Sequence, residues 1–196
     1  MAAEMRRLHR CAAMVFLAAA ILITGCGEKP KPELTETDTR VRRTTLSITS
    51  DTNRWTAGII DTPNFLDQPA VLRDVRIGKH EDWDRIVFEF EGDQFPGYHL
   101  EYIDRPIRKC GSGEVVEIDG PGWLQVHFYP AQAHTRAGNA TVTDRQRSPD
   151  LPILDEAVLV CDFEGVVEWV LGLNNPNRYR VLELADPTRL VVDITH

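Results

Sequence analysis

Short runs of alternating apolar and polar residues recur from Val71 to His196, separated by Pro, Gly, Asn and Asp. Ile86–Phe90 and Trp123–Tyr129 are the clearest, since every second residue in each is large and apolar. A period of two is typical of a strand with one buried face, and no window keeps a helical period for three turns. About nine such runs in roughly 130 residues predict an all-β domain, either a single β-sandwich or a partly open barrel.

The predicted strands are Leu72–Gly78, Ile86–Phe90, Tyr98–Ile103, Glu114–Ile118, Leu124–Phe128, Ala157–Cys161, Val166–Leu173, Tyr179–Leu184 and Arg189–Ile194. An internal similarity links Asp82–Phe90 with Asp186–Ile194, because both place three large apolar residues on one face and an arginine with a later carboxylate on the other. This similarity predicts equivalent strands in two facing sheets. The alternative is chance similarity between two amphipathic strands.

The N-terminal residues have the features of a targeting signal. Three arginines precede an apolar run from Cys11 to Thr24, and Gly25 precedes Cys26. A run of this length spans about 21 Å as a helix, short of the roughly 30 Å core of a bilayer. The pattern resembles a bacterial lipoprotein signal more than a membrane-spanning helix or an ordinary secretory signal. It predicts removal of residues 1–25, lipidation of Cys26 and a location on the extracytoplasmic face of the cell membrane.

Residues 26–66 are rich in Thr, Ser, Pro and charge, with sparse apolar residues. Such a segment buries too little surface to offset its ordering entropy, so it is predicted to be a flexible tether ahead of a domain at 67–196. Trp55–Phe65 is more apolar. Two alternatives are open for it: docking on the domain as an extra edge strand, or remaining loose.

Charge and cysteine content restrict the possible partners. The net charge of −8 becomes −10 when residues 1–25, with three arginines and Glu4, are removed. This acidic balance argues against binding to nucleic acid and against docking on anionic lipid headgroups. Contact with the membrane is therefore expected through the lipid alone. Once Cys11 is removed and Cys26 is lipidated, Cys110 and Cys161 remain, and they are predicted to form a disulfide. The alternatives are two buried free thiols or a pair of metal ligands.

Catalytic and metal-binding patterns are absent from the sequence. It contains no G-x-S-x-G elbow, phosphate-binding glycine loop, C-x-x-C or H-x-x-x-H pair. His80–Asp84 lacks a second histidine, and no Asp-x-Asp-x-Asp-Gly calcium loop occurs. The sequence therefore predicts a protein that is not an enzyme and carries no metal or cofactor. His99 and His134 are interpreted as surface histidines.

A binding surface is predicted on the polar face of the Trp123–Tyr129 run. Period-two geometry places Trp123, Gln125, His127 and Tyr129 together, opposite the apolar face. Aromatic rings beside amides are suited to sugars, because a ring stacks on the CH face of a pyranose while polar neighbours meet its hydroxyls. In the alternative, another strand or the Trp55 segment covers this face and Trp123 belongs to the core.

Several segments resemble the AMIN-like domain of envelope lipoproteins from high-GC Gram-positive bacteria. They are Val75–His80, Asp84–Phe90, Pro96–Tyr98, Asp162–Gly165 and Val191–His196. The resemblance spans roughly residues 54–196 and implies a β-sandwich that binds peptidoglycan or another wall component. A different expectation is a module that recruits an envelope protein without glycan affinity. The sequence does not determine the oligomeric state.

Overall fold

The structure is a computed structural model that describes residues 53–196. The predicted signal, the predicted lipidation site Cys26 and most of the predicted tether lie outside these residues. Within them the chain forms strands and turns without a helix. Accordingly, none of the described residues belongs to a helix long and apolar enough to cross a membrane.

The described residues form eleven strands in two sheets. They are β1 (Ile60–Thr62), β2 (Ala70–Lys79), β3 (Trp83–Phe90), β4 (Gly97–Ile103), β5 (Gly122–Tyr129), β6 (Ala131–Gln132), β7 (Gln146–Arg147), β8 (Leu154–Phe163), β9 (Val166–Leu173), β10 (Tyr179–Leu184) and β11 (Arg189–Thr195). One sheet has the order β1-β4-β5-β9-β8-β7 and the other β10-β11-β3-β2-β6. All pairs are antiparallel except β2 with β6. The all-β prediction is confirmed, and its form is a sandwich, not a barrel.

The main core lies between the two sheets and is built from the residues that the alternation marked as apolar. Phe88 and Phe90 on β3 each place their ring centroid 5.1 Å from that of Phe128 on β5. Trp169 on β9 is fully buried beside them. Aromatic rings prefer such edge-to-face contacts, so these contacts favour one relative placement of the two sheets over others.

The internal similarity has a different structural meaning from the predicted one. The two copies, β3 and β11, are neighbours in the same sheet, whereas we expected one in each sheet. Their antiparallel register sets Arg85 opposite Asp193 and Glu89 opposite Arg189, so the arginine of each copy faces the carboxylate of the other. Asp193 is fully buried and accepts from Arg85 Nε at 2.6 Å and from Arg180 Nε at 2.9 Å. Of these two facing pairs, Arg85 and Asp193 form an ion pair, whereas Glu89 pairs with Arg76 on β2.

The predicted strand Glu114–Ile118 is wrong. Between β4 and β5 the chain makes an irregular excursion, residues 104–121, with an isolated bridge between Arg108 and Val115. Its apolar residues Ile107 and Ile118 pack on the outer face of the six-stranded sheet, where they form a second apolar cluster with β8 and β9. Alternating apolar residues here serve packing on a sheet face, without continuous strand pairing.

The predicted disulfide between Cys110 and Cys161 is confirmed, with the two Cα atoms 5.2 Å apart. It joins the excursion to β8. In the chain-entropy model a cross-link of this span stabilises the fold by about 4 kcal/mol. The bond therefore holds the excursion on the sheet together with the second apolar cluster.

Residues 53–66, here called the strap, connect the two sheets. Thr56 exchanges backbone hydrogen bonds of 2.8 and 2.7 Å with Tyr179 on β10. The Arg180 guanidinium lies 4.5 Å from the centroid of the Trp55 ring. Further along, β1 pairs with β4 at the edge of the six-stranded sheet. Of the two alternatives for Trp55–Phe65, the structure shows the edge strand.

Candidate ligand-binding groove

The four predicted binding residues alternate along β5 on the outer face of the six-stranded sheet. Trp123, Gln125 and His127 are half-buried, and Tyr129 is 54% exposed. The residues between them are buried in the main core. The alternation therefore places side chains as predicted, and the neighbouring elements decide which of the four remain accessible.

Trp123 is separated from the other three by the excursion. Its ring packs against the second apolar cluster, and its Nε1 donates to the carbonyl oxygen of Ile118 at 3.3 Å. The Arg105 guanidinium lies 4.3 Å from its ring centroid. The cover is thus the 104–121 excursion, not the Trp55 segment or another strand. We assign Trp123 to packing.

Gln125, His127 and Tyr129 line a groove of about 340 Å³. The opposite wall is formed by Asp61–Phe65 of the strap, and His99 on β4 lies between wall and strand. The groove thus brings three of the predicted residues together with His99 and the strap residues Asp61–Phe65, which were not predicted from the sequence as site residues. The wall could not be recognised because the pairing of β1 with β4 is not encoded in any local pattern.

Two aromatic rings are exposed at the groove. Phe65 is 91% exposed on the strap and Tyr129 is 54% exposed on β5. Burial of an aromatic side chain removes a large apolar area from water. Aromatic rings that remain in solvent beside a groove are therefore typical of binding surfaces. The two rings face solvent from opposite walls.

Gly97 allows the strap to approach the sheet closely. A Cβ atom at this position would lie 2.7 Å from the backbone nitrogen of Asn64 and 2.7 Å from the carbonyl oxygen of Tyr129. Asn64 fixes the strap there, because its Nδ2 donates to Phe95 O at 2.7 Å and its Oδ1 accepts from the backbone of Phe65 at 2.9 Å. The width of the groove therefore depends on a residue without a side chain.

A row of ionisable residues crosses four strands beneath the groove. The strand registers place Asp61 opposite His99, His99 opposite His127, and His127 opposite Glu168. His99 Nδ1 lies 3.0 Å from Asp61 Oδ1, and His127 Nδ1 lies 3.4 Å from Glu168 Oε2. His99 is thus a paired groove residue, whereas the sequence suggested only a surface histidine. The signal that identifies it is its register with His127.

Tyr98 is adjacent to the row but turns away from it. Its side chain is buried in the main core, and its hydroxyl donates to Glu183 Oε1 of β10 at 2.9 Å. This burial raises the pKa of the Tyr98 phenol. Tyr98 therefore connects the two sheets and leaves the polar chemistry of the groove to its neighbours.

The groove has the composition of a binding site for a ligand without negative charge. Of the described residues that line it, none is lysine or arginine. No group of three or more histidine, cysteine or acidic side chains within residues 53–196 has an arrangement that could hold a metal ion. What remains are aromatic rings, amides and histidines paired with carboxylates, which suit hydrogen bonding and ring stacking.

Residues 70–196 match the family model of the AMIN-like domain. The chain belongs to the AMIN-like domain family. The match begins at the first residue of β2, so the AMIN-like region supplies β4 and β5 of the groove, and the strap adds the facing wall ahead of it. No curated protein and no solved structure matches the chain significantly.

Proposed function

We propose that this protein is a lipid-anchored, non-enzymatic protein of the cell envelope whose AMIN-like domain binds peptidoglycan or another wall component in the groove. Family membership supports an envelope-associated, peptidoglycan-related module. The lipoprotein-like signal ahead of Cys26 supports attachment to the extracytoplasmic face of the membrane. The non-enzymatic role is supported by a sequence without a G-x-S-x-G elbow, a phosphate-binding glycine loop or an H-x-x-x-H pair.

One observation carries the binding part of this proposal: the exposed rings of Phe65 and Tyr129 beside the Gln125 amide in a groove of about 340 Å³. Aromatic stacking and amide hydrogen bonds together are suited to sugar recognition. The groove lies on the outer face of a sheet, so a long wall polymer could reach it without opening the sandwich.

A second candidate function is recruitment of an envelope protein without glycan affinity. The extreme exposure of Phe65, 91%, favours it, because a protein partner could bury this ring in an apolar interface. Both functions would use the same groove.

Sedimentation with cell walls separates the two functions. The purified protein is mixed with insoluble peptidoglycan that has been treated with protease to remove bound proteins, and with untreated walls. We expect equal retention on both. Retention on untreated walls alone would replace the glycan function by the recruitment function. The absence of retention on either would contradict both.

A further inference from the structure

The free hydrogen-bonding groups of the groove form a line along β5. Within residues 53–196 the Gln125 amide has no hydrogen-bond partner, and His127 uses only its Nδ1, towards Glu168. The Tyr129 hydroxyl is also without a partner among these residues, and its ring is exposed. Residues two apart on a strand are about 7 Å apart, so these three groups span about 13 Å. An extended ligand would meet a donor or acceptor at each interval.

These free groups are uncharged or paired with a carboxylate. The charged and titratable side chains around them are Asp61 on β1, His99 and Glu101 on β4, His127 on β5 and Glu168 on β9. The second nitrogen of His99 lies 3.5 Å from Glu101, so both histidines have acidic neighbours. The groove lining therefore contains one carboxylate, Asp61, and neither lysine nor arginine, while Glu101 and Glu168 lie against its two histidines.

We infer that the groove binds an uncharged stretch of pyranose rings from the wall glycan and discriminates against anionic wall polymers. The sugar CH faces stack on Phe65 and Tyr129, and their hydroxyl and acetamido groups bond to Gln125 and to the free nitrogen of His127. A phosphate- or carboxylate-rich polymer would find carboxylates in place of the basic groups that such ligands need. This inference rests on the proposed function and adds the ligand class.

The test is competition between immobilised wall and soluble probes of different charge. The full chain is bound to protease-treated peptidoglycan and challenged with an N-acetylglucosamine tetrasaccharide, with a glycerol-phosphate polymer, and with a free lysine-containing stem peptide. We expect release by the tetrasaccharide alone. We also expect the apparent affinity to change less than about twofold between about 50 mM and about 500 mM salt, since an uncharged ligand has no screened attraction to lose.

Two variants identify the groups that recognise the probe. Gln125→Ala removes the free amide and should weaken tetrasaccharide binding about tenfold, the loss expected for an unmade hydrogen bond in a binding site. Asp61→Asn removes a charge and keeps the shape, and should change the affinity less than about threefold. A gain of more than about tenfold for the phosphate polymer in Asp61→Asn would also agree with discrimination by charge.

The inference and the proposed function fail in different ways. If Tyr129→Ala abolishes wall retention while the tetrasaccharide does not compete, the groove binds wall and the ligand class is wrong. Release by the phosphate polymer or by the stem peptide would assign the groove to that ligand and overturn the inference. If neither Tyr129→Ala nor any soluble probe changes retention, the groove is not the binding site and the proposed function itself is contradicted.

Discussion

Replacing Gly97 by alanine should disrupt the groove from beneath. The new Cβ atom would lie 2.7 Å from Asn64 N and from Tyr129 O, whereas ordinary contacts begin at 3.4 Å. To relieve each of these two contacts, the Cβ atom and the neighbouring backbone atom must separate by about a further 0.7 Å. Both neighbours are backbone atoms, so a change of rotamer cannot supply it.

The strap is the element expected to move. Gly97 pairs with Tyr129 at the end of a ladder of seven residue pairs between β4 and β5. Asn64 has one side-chain bond that reaches beyond the strap, to Phe95, and its other bond is to its neighbour Phe65. Overpacking of this kind costs about 1–3 kcal/mol. For a domain of this size the melting temperature should fall by roughly 3–12 °C.

A wider groove should also bind wall less tightly. Displacement of Asn64 would move the neighbouring Phe65 away from the wall that carries Tyr129, and we expect about a tenfold loss of peptidoglycan retention. Gly78→Ala is the matched control, because a Cβ there meets nothing within 4 Å and the residue lies on β2 of the other sheet. If Gly97→Ala and Gly78→Ala have the same melting temperature and the same retention, the close approach of the strap to the sheet is refuted.

Three further predictions concern other parts of the molecule. Trp123→Ala should lower the free energy of unfolding by about 2–3 kcal/mol while leaving wall retention unchanged, because its ring packs in the second apolar cluster; thermal melts and sedimentation on one sample check both. Cys26→Ala should move the protein from the detergent phase to the aqueous phase, since stable anchoring depends on the acyl chains; a variant that stays with membrane contradicts the lipid anchor. Burial raises the pKa of Tyr102 to about 12 and raises those of Tyr98 and Tyr179. The native state therefore disfavours phenolate at these three side chains, so stability should be intact below about pH 10 and fall as the pH rises towards the folded pKa values. In Tyr129→Phe, which removes the one exposed tyrosine of the described residues, phenolate absorbance that rises before the unfolding transition would contradict this.

The sequence predicted the features that depend on local alternation. Ile86–Phe90 and Trp123–Tyr129 are strands, with their apolar sides in the core as expected. The paired cysteines were predictable from counting, because the predicted signal and the predicted lipidation would account for the other two. The strand prediction needs only the alternation of neighbouring residues, and the disulfide prediction needs only the cysteine count and an oxidising cellular compartment.

Features that depend on contacts distant in sequence could not be predicted. Trp123 and Tyr129 have the same alternation, yet one is covered by the 104–121 excursion and the other is exposed. His99 is recognised as a groove residue only from the order of β1, β4 and β5, which places it between Asp61 and His127. Period-two patterns define the faces of a strand and contain no information on which element lies against each face.

The most direct test of the groove as the wall-binding site is sedimentation of a double variant, Phe65→Ala with Tyr129→Ala, with protease-treated peptidoglycan. Both rings are exposed, so their removal should leave the melting temperature nearly unchanged. Leu184→Ala is the control, because it removes an exposed apolar side chain from β10 of the other sheet. We predict that the double variant loses wall retention by at least about tenfold while Leu184→Ala keeps it. Equal retention by the folded double variant and the control would contradict the account.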